Sequence, residues 1–159
     1  MEWKTIELYD GLLQMNLPVD INYISEKLCR VKFPYRKKPD YIEMNRQNNV
    51  FLTASRYPKE LYKENIYYAL LEMREYLSRL YPECINQDII ILKGINTETG
   101  WFSFHSNDIN GEKVHFMAVS SLRNKFLLCS MHTEAAEKEL WLENLIEIVG
   151  SFCEREQDD

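Results

Sequence analysis

No apolar run in this 159-residue chain is long enough to span a bilayer; stretches such as Ile89–Leu92 stop after a few residues. The opening MEWKTIELYDG lacks a basic region followed by an apolar stretch, so no signal peptide is read and a cytoplasmic address is expected. There is no Cys-x-x-Cys pair. Cys29, Cys84, Cys129 and Cys153 are scattered, and the expectation is reduced, partly buried thiols rather than a disulfide framework or a structural metal site. No Asn-x-Ser/Thr sequon occurs, in agreement with an intracellular address. Glycine and proline number only five each, which excludes collagenous and linker-like chains. Repeats and low-complexity tracts are absent as well. Histidine occurs three times, and that scarcity narrows the enzymatic options.

What is present is a folded composition: 45% hydrophobic residues, with ten tyrosines and seven phenylalanines. That suits one domain over residues 1–159, with 154–159 expected to fray. Ile6 and Leu8, then Leu13, Met15 and Leu17, alternate as two strands around the turn residues Asp10-Gly11. Residues 20–28 read as a short helix capped by Asp20, and residues 41–45 and 50–55 as two further strands. Pro58 is expected to introduce the clearest helix, where Ile66, Leu70, Met73, Leu77 and Leu80 form one apolar stripe. Four strands follow, near 88–95, 100–106, 113–120 and 125–132, with gaps too short for parallel crossovers. Thr133 is expected to cap a closing helix that buries Leu142, Leu145 and Val149, with Phe152. The plan is α+β: a single antiparallel β-sheet, made of an N-terminal hairpin, two middle strands and a C-terminal four-strand meander, packed by two long amphipathic helices.

That order, with the hairpin DGLLQMNLP, the strands KFPYRKKPDYI and NVFLTAS, and the closing run from GWFSFHS to NLIEIVGSF, resembles the Mog/PsbP-like superfamily. This superfamily groups a Ran-binding import factor, the extrinsic photosystem II protein PsbP and bacterial DcrB-type domains. The resemblance covers nearly the whole chain. It implies a small non-enzymatic protein that binds other proteins; some bacterial relatives serve as chaperones for secreted effectors. It carries over no catalytic or cofactor motif.

Residues with chemical potential are few. His105 and His115 lie on neighbouring strands. If Asn110-Gly111 forms a two-residue turn, His105 falls opposite Phe116 and the two histidines occupy opposite faces; one more loop residue puts them directly opposite each other. No further ligand stands at metal spacing, so no metal and no cofactor are expected. Cys129 and His132, three apart on a strand, point to opposite faces and cannot work as nucleophile and base. Trp101, Phe102, Phe104 and Phe116 form an aromatic cluster that reads first as core. Its functional alternative is a sheet-lined pocket around Trp101, His105 and His115.

Charge gives the sharper pointer. The net charge is -6, yet residues 30–38 hold five basic residues and no acidic one. Pro34 and Pro39 stiffen this segment and remove backbone donors, so it belongs at an edge or loop, where lysines also discourage false strand pairing. Arg30, Lys32, Tyr35, Arg36, Lys37 and Lys38 are therefore the candidate partner-binding residues. Elsewhere 14 basic residues face 25 acidic ones, a field that opposes a nucleic-acid backbone and favours an acidic protein surface. On the last helix Glu139, Glu143 and Glu147 recur at i+4, a solvated acidic face or a docking stripe for a basic partner.

The functional expectation is a non-catalytic protein-binding module, an adaptor, chaperone or regulator with an unidentified protein partner, and with neither nucleic acid nor membrane. Two alternatives stand beside it. One is a toxin-neutralising immunity protein using the acidic stripe. The other is a small-molecule binder or enzyme using the pocket near Trp101 and His105.

Overall fold

The computed structural model describes residues 1–23, 30, 38–45, 47, 49–82, 88–109 and 111–156. Along these residues run β1 (Trp3–Leu8), β2 (Leu13–Pro18), β3 (Ile21–Tyr23), β4 (Tyr41–Asn45), β5 (Val50–Glu60), α1 (Ile66–Leu80), β6 (Ile90–Lys93), β7 (Glu98–Asp108), β8 (Gly111–Leu122), β9 (Lys125–Glu134), α2 (Lys138–Gly150) and β10 (Cys153–Glu154). Short 3-10 turns, Lys63–Asn65 and Ala135–Glu137, lead into the two helices.

The strands form two sheets. Seven pair in the order β3-β4-β5-β9-β8-β7-β6, while β1, β2 and β10 make a separate three-stranded sheet with β2 in the middle. Every pairing is antiparallel, as the short gaps between the last strands require. The α+β plan holds, but the single sheet does not. Leu13 and Leu17 are 0% exposed and Met15 1%, so β2 buries one complete side. Alternation dictates that such a side must be covered. It does not dictate whether the hairpin extends the large sheet or lies across it, and here it lies across it, in a common core with α2.

The central strands are buried on both faces. On one, Trp101, Val114, Phe116, Ala118 and Met131 join Leu13, Met15, Leu17 and the α2 residues Trp141, Leu145, Ile148 and Val149. On the other, Phe102, Phe104 and Val119 pack beneath α1 through Leu61, Ile66 and Leu70. Neighbouring residues such as Trp101 and Phe102 thus serve opposite cores, as the two-residue strand period requires. The result is three layers: α1, the large sheet, then α2 with the small sheet.

Several boundaries differ from expectation for local reasons. Pro58 lies inside β5 and not at a helix start; the α1 stripe begins at Ile66. Of that stripe Ile66 and Leu70 are buried, Met73 and Leu77 partly so, and Leu80 is 52% exposed. Thr133 belongs to β9 and does not cap α2, because β9 runs to Glu134 and a 3-10 turn intervenes. The start of α2 is held instead by Glu137, whose Oε2 accepts from Trp141 Nε1 at 3.2 Å and from Asn49 Nδ2 at 3.0 Å. Ile21–Tyr23 form a strand against β4 where a helix was expected from residue 20, and residues 24–28 of that helix lie outside the described residues. The chain does not fray from residue 154: Glu154 pairs with Leu13, and Arg155 N donates to Leu12 O at 2.8 Å. Residues 157–159 lie outside the described residues.

Cys129 is buried, and burial alone pushes its thiol up to about 12, so it stays protonated; Cys129 and Cys153 are both free thiols. Among the described residues no helix is long and apolar enough to cross a membrane.

At Gly100 α1 packs directly against the sheet. A Cβ there would lie 2.7 Å from Ile91 Cδ1 and closer still to Leu70 Cδ1, and Leu70 is fully buried. Gly100→Ala is expected to lower stability by about 1–3 kcal/mol, read as a fall in the urea midpoint; an unchanged midpoint would show that α1 moves away without cost.

Candidate cleft at the hairpin pole

Several chain reversals gather at one pole of the molecule, each with a local cause. The β1–β2 connection turns on Asp10 and Gly11, at φ 55° and 85°, with Leu12 N donating to Tyr9 O at 3.1 Å. Both central residues sit in the left-handed region that such a hairpin turn demands. Tyr9 before them is left-handed too, at φ 57°, a costly conformation for a bulky residue, on the order of 1–3 kcal/mol. The β8–β9 hairpin closes on Arg123-Asn124, again both left-handed. Beside it β5 bulges. Arg56 pairs with Leu127 and Glu60 with Lys125, so Tyr57, Pro58 and Lys59 stand against the single residue Phe126. Pro58, which has no N–H for the ladder, sits at the centre of that bulge.

Between these turns lies an open cleft of about 570 Å³, lined by Tyr9, Asp40, Arg56, Tyr57, Pro58 and Lys125. Its floor is tied together by Asp40, whose Oδ2 accepts from Tyr9 Oη at 3.1 Å and from Arg56 N at 2.8 Å. The Arg56 guanidinium is held from behind, donating through Nη2 at 3.2 Å and Nε at 3.4 Å to Leu122 O. The same side chain lines the cleft. The Tyr57 ring meets Phe126 edge-on at 5.9 Å, and Lys59 Nζ stands 5.9 Å from the same ring. Burial, followed by the charge and the hydrogen bond of Asp40, raises the Tyr9 phenol well above its ordinary value. Two cations, the Arg56 one held by Leu122 O, a carboxylate and an aromatic–proline wall thus line one opening. Among the described residues the lining offers charged groups for ion pairing and aromatic rings for contact.

The segment singled out in the sequence leads to this place. Lys38 is exposed and lies two residues before Asp40, which lines the cleft; Arg30 is helical and exposed. Lys32, Tyr35, Arg36 and Lys37 lie outside the described residues. Glu139, Glu143 and Glu147 are all exposed along α2.

The pocket expected around Trp101, His105 and His115 is not formed by those residues. Trp101 is only 4% exposed, within the core. His105 pairs with Val114 and Phe104 with His115, so the two histidines occupy opposite faces. This register is neither of the two expected, because Asp108 pairs with Gly111 and the turn falls one residue earlier. His105 Nδ1 instead meets Glu112 Oε1 at 2.9 Å, and its Nε2 lies 3.3 Å from Lys138 Nζ. His115 stacks on Phe104 at 4.6 Å, lies 5.5 Å from His132, and His132 stacks on Phe51 at 4.7 Å, a ring ladder across four strands. Among the described residues no group of three His, Cys, Asp or Glu is arranged to hold a metal ion.

Tyr9, Asp40, Arg56, Tyr57, Pro58 and Lys125 were not candidates from the sequence. Their one visible signal was a proline directly after Arg56-Tyr57 in a strand-forming run, which is a bulge signature once the helix is known to start at Ile66.

The chain matches no protein-family model and no curated protein. Solved structures do match. The cyanobacterial PsbP (CyanoP) of Synechocystis is similar with a TM-score of 0.66 and 7% identity, over 96% of this chain and 92% of that one. A variant of the protein Mog1 is similar with a TM-score of 0.58 and 16% identity, over 96% of both chains. A Bacteroides thetaiotaomicron protein matches with a TM-score of 0.64 and 12% identity; all of this chain is covered, and it spans about half (51%) of that protein. The fold is Mog/PsbP-like.

The buried phenols generate a pH prediction. Tyr41, like Tyr9, is raised by burial and then by its bond to Glu43. A phenol raised in the folded state stabilises the fold below the unfolded value, roughly pH 10, and that stability is lost as the pH climbs beyond it. In an ultraviolet titration, at least two of the ten tyrosines should resist ionisation until the protein unfolds. Ionisation of all ten together in the folded protein would contradict the burial of Tyr9 and Tyr41.

Proposed function

We propose that residues 1–159 act as one non-catalytic protein-binding module that takes an acidic, extended segment of a partner protein in the cleft of Tyr9, Asp40, Arg56, Tyr57, Pro58 and Lys125. The observation that carries this reading is the pairing of Arg56 and Lys125 over an aromatic–proline wall, in a chain whose net charge is -6. Lys38 and Lys59, near in sequence to Asp40 and Pro58, are exposed and would add positive charge around the opening. Glu60, the cross-strand neighbour of Lys125, engages Tyr62 Oη at 3.5 Å. An extended segment suits a shallow cleft because it offers side chains at regular intervals with little ordering within itself. The use implied by the resemblance, binding of other proteins without catalysis, fits a lining of paired charges and aromatic rings. An adaptor, chaperone or regulator acting in the cytoplasm is the role that follows.

A second reading keeps some support. Glu139, Glu143 and Glu147 are exposed, and Leu140 and Ile146 beside them are 48% and 41% exposed. A basic partner such as a toxin would suit that face, and the module would then be an immunity protein. The small-molecule alternative loses its proposed site, since Trp101 belongs to the core.

Calorimetric titration with three short peptides of equal length tests the first reading: one rich in Glu and Pro, one with Gln for Glu, one with Lys for Glu. The acidic peptide should bind, and binding should weaken as salt rises from 50 to 500 mM. The double reversal Arg56→Glu, Lys125→Glu should weaken it by about tenfold or more. Equal affinity for the Glu and Gln peptides, or full affinity in the reversed protein, would remove the proposal.

A further inference from the structure

We infer that Asp40 is a built-in competitor for the cleft, a carboxylate of the protein's own held where the partner's acidic group must approach. The inference rests on the reading just given and adds its regulation. Asp40 lies at the end of the basic segment, immediately after Lys38 and Pro39, and its side chain lines the same opening as Arg56 and Lys125. It is not free to swing away. Its Oδ2 is fixed from two sides, by the backbone N–H of Arg56 at 2.8 Å and by Tyr9 Oη at 3.1 Å. The Tyr9 side of this grip rests on a residue at φ 57°, where only glycine and a few short polar residues sit without cost. From that backbone position the Tyr9 hydroxyl donates to Asp40 Oδ2.

Two consequences follow from the charges. Asp40 offsets one of the two cations that line the cleft, so the unoccupied cleft carries less positive potential than Arg56 and Lys125 alone would give. An arriving carboxylate meets a like charge at close range, and only a segment with enough acidic groups to reach Lys38, Lys59 or Lys125 as well overcomes it. The competitor therefore sets a threshold: single acidic residues are rejected and clustered ones accepted. Asp40 is a positioning and selecting residue, not a catalytic one.

The test compares the intact chain with Asp40→Asn, using the acidic peptide and its Gln counterpart. Asparagine keeps an oxygen for the Arg56 N–H and the Tyr9 hydroxyl and removes the charge, while putting an amide NH2 in place of the other oxygen; Asp40→Thr, which adds no such NH2, must show the same gain. The acidic peptide should bind the variant about three- to tenfold more tightly, the scale of one like-charge contact at a partly exposed site. Affinity for the Gln peptide should not change, and a peptide with a single Glu should now bind. Should the wild-type protein bind the acidic peptide and Asp40→Asn bind it no better, the competitor is refuted while the binding reading stands. Binding by the variant alone overturns the reading that the unmodified protein takes such a segment, and with it Asp40 as a selector of clustered acidic groups. If neither protein binds the acidic peptide, the binding reading fails and the competitor falls with it. A purely structural Asp40 would lower the thermal midpoint without raising affinity; Asp40→Thr, which also keeps an oxygen for the Arg56 N–H, carries the comparison alone if the asparagine variant unfolds.

Discussion

Trp101 and Phe102 are adjacent in the chain and belong to different cores, one facing α2 and the hairpin sheet, the other facing α1. That two-sided burial of the central strands is the constraint on which the rest depends. A sheet wet on one side would need only one covering layer. Here both faces of β7, β8 and β9 are apolar, so each needs a lid, and the chain supplies one helix to each face and the N-terminal hairpin to the second. Phe102 and Phe116 are each completely buried, worth about 1.5–3 kcal/mol apiece. The hairpin turns and the bulge project beyond the covered region because strands held this firmly leave their irregularities at the ends.

The cleft is a product of that arrangement. Pro58 interrupts pairing where β5 outruns β4, whose last paired residue is Tyr41 opposite Ala54. The β1–β2 turn reaches the same point from the covering layer and brings Tyr9 to Asp40 across 31 residues of chain. Rigid strands fix the cations, and the turns supply the aromatic wall. A cleft built in this way needs no moving part to be formed.

Element type was largely readable from the sequence. The alternation at Leu13, Met15 and Leu17, the i, i+4 stripe from Ile66 and the four late strands all appear, because periodicity reports directly on which side is buried. Boundaries and pairings were less readable, for physical reasons. Pro58 is compatible with both a helix start and a bulge, and only the burial of Phe51 to Ala54 followed by exposure from Pro58 onward separates them. The β7–β8 register depends on one loop residue, and that single step moved His105 from Phe116 to Val114. The partner of the hairpin was invisible because β10 is two residues long, too short for any pattern. The cleft itself escaped because its six residues come from four separate stretches of chain, brought together only by the sheet. The basic segment ends two residues before Asp40 and gave no signal of Arg56 or Lys125, which are ordinary as isolated cations in the sequence.

The attachment of β10 has a bearing on how the molecule comes into being. Cys153 lies against Gln14, and Arg155 holds Leu12 and Glu7, so the exposed rim of the first hairpin is finished by residues made some 140 positions later. On a translating ribosome β2 emerges early and keeps one edge unsatisfied until nearly all the described chain has left the tunnel. Closure of this most sequence-distant pairing is the step that turns a nascent, sticky hairpin into a finished surface.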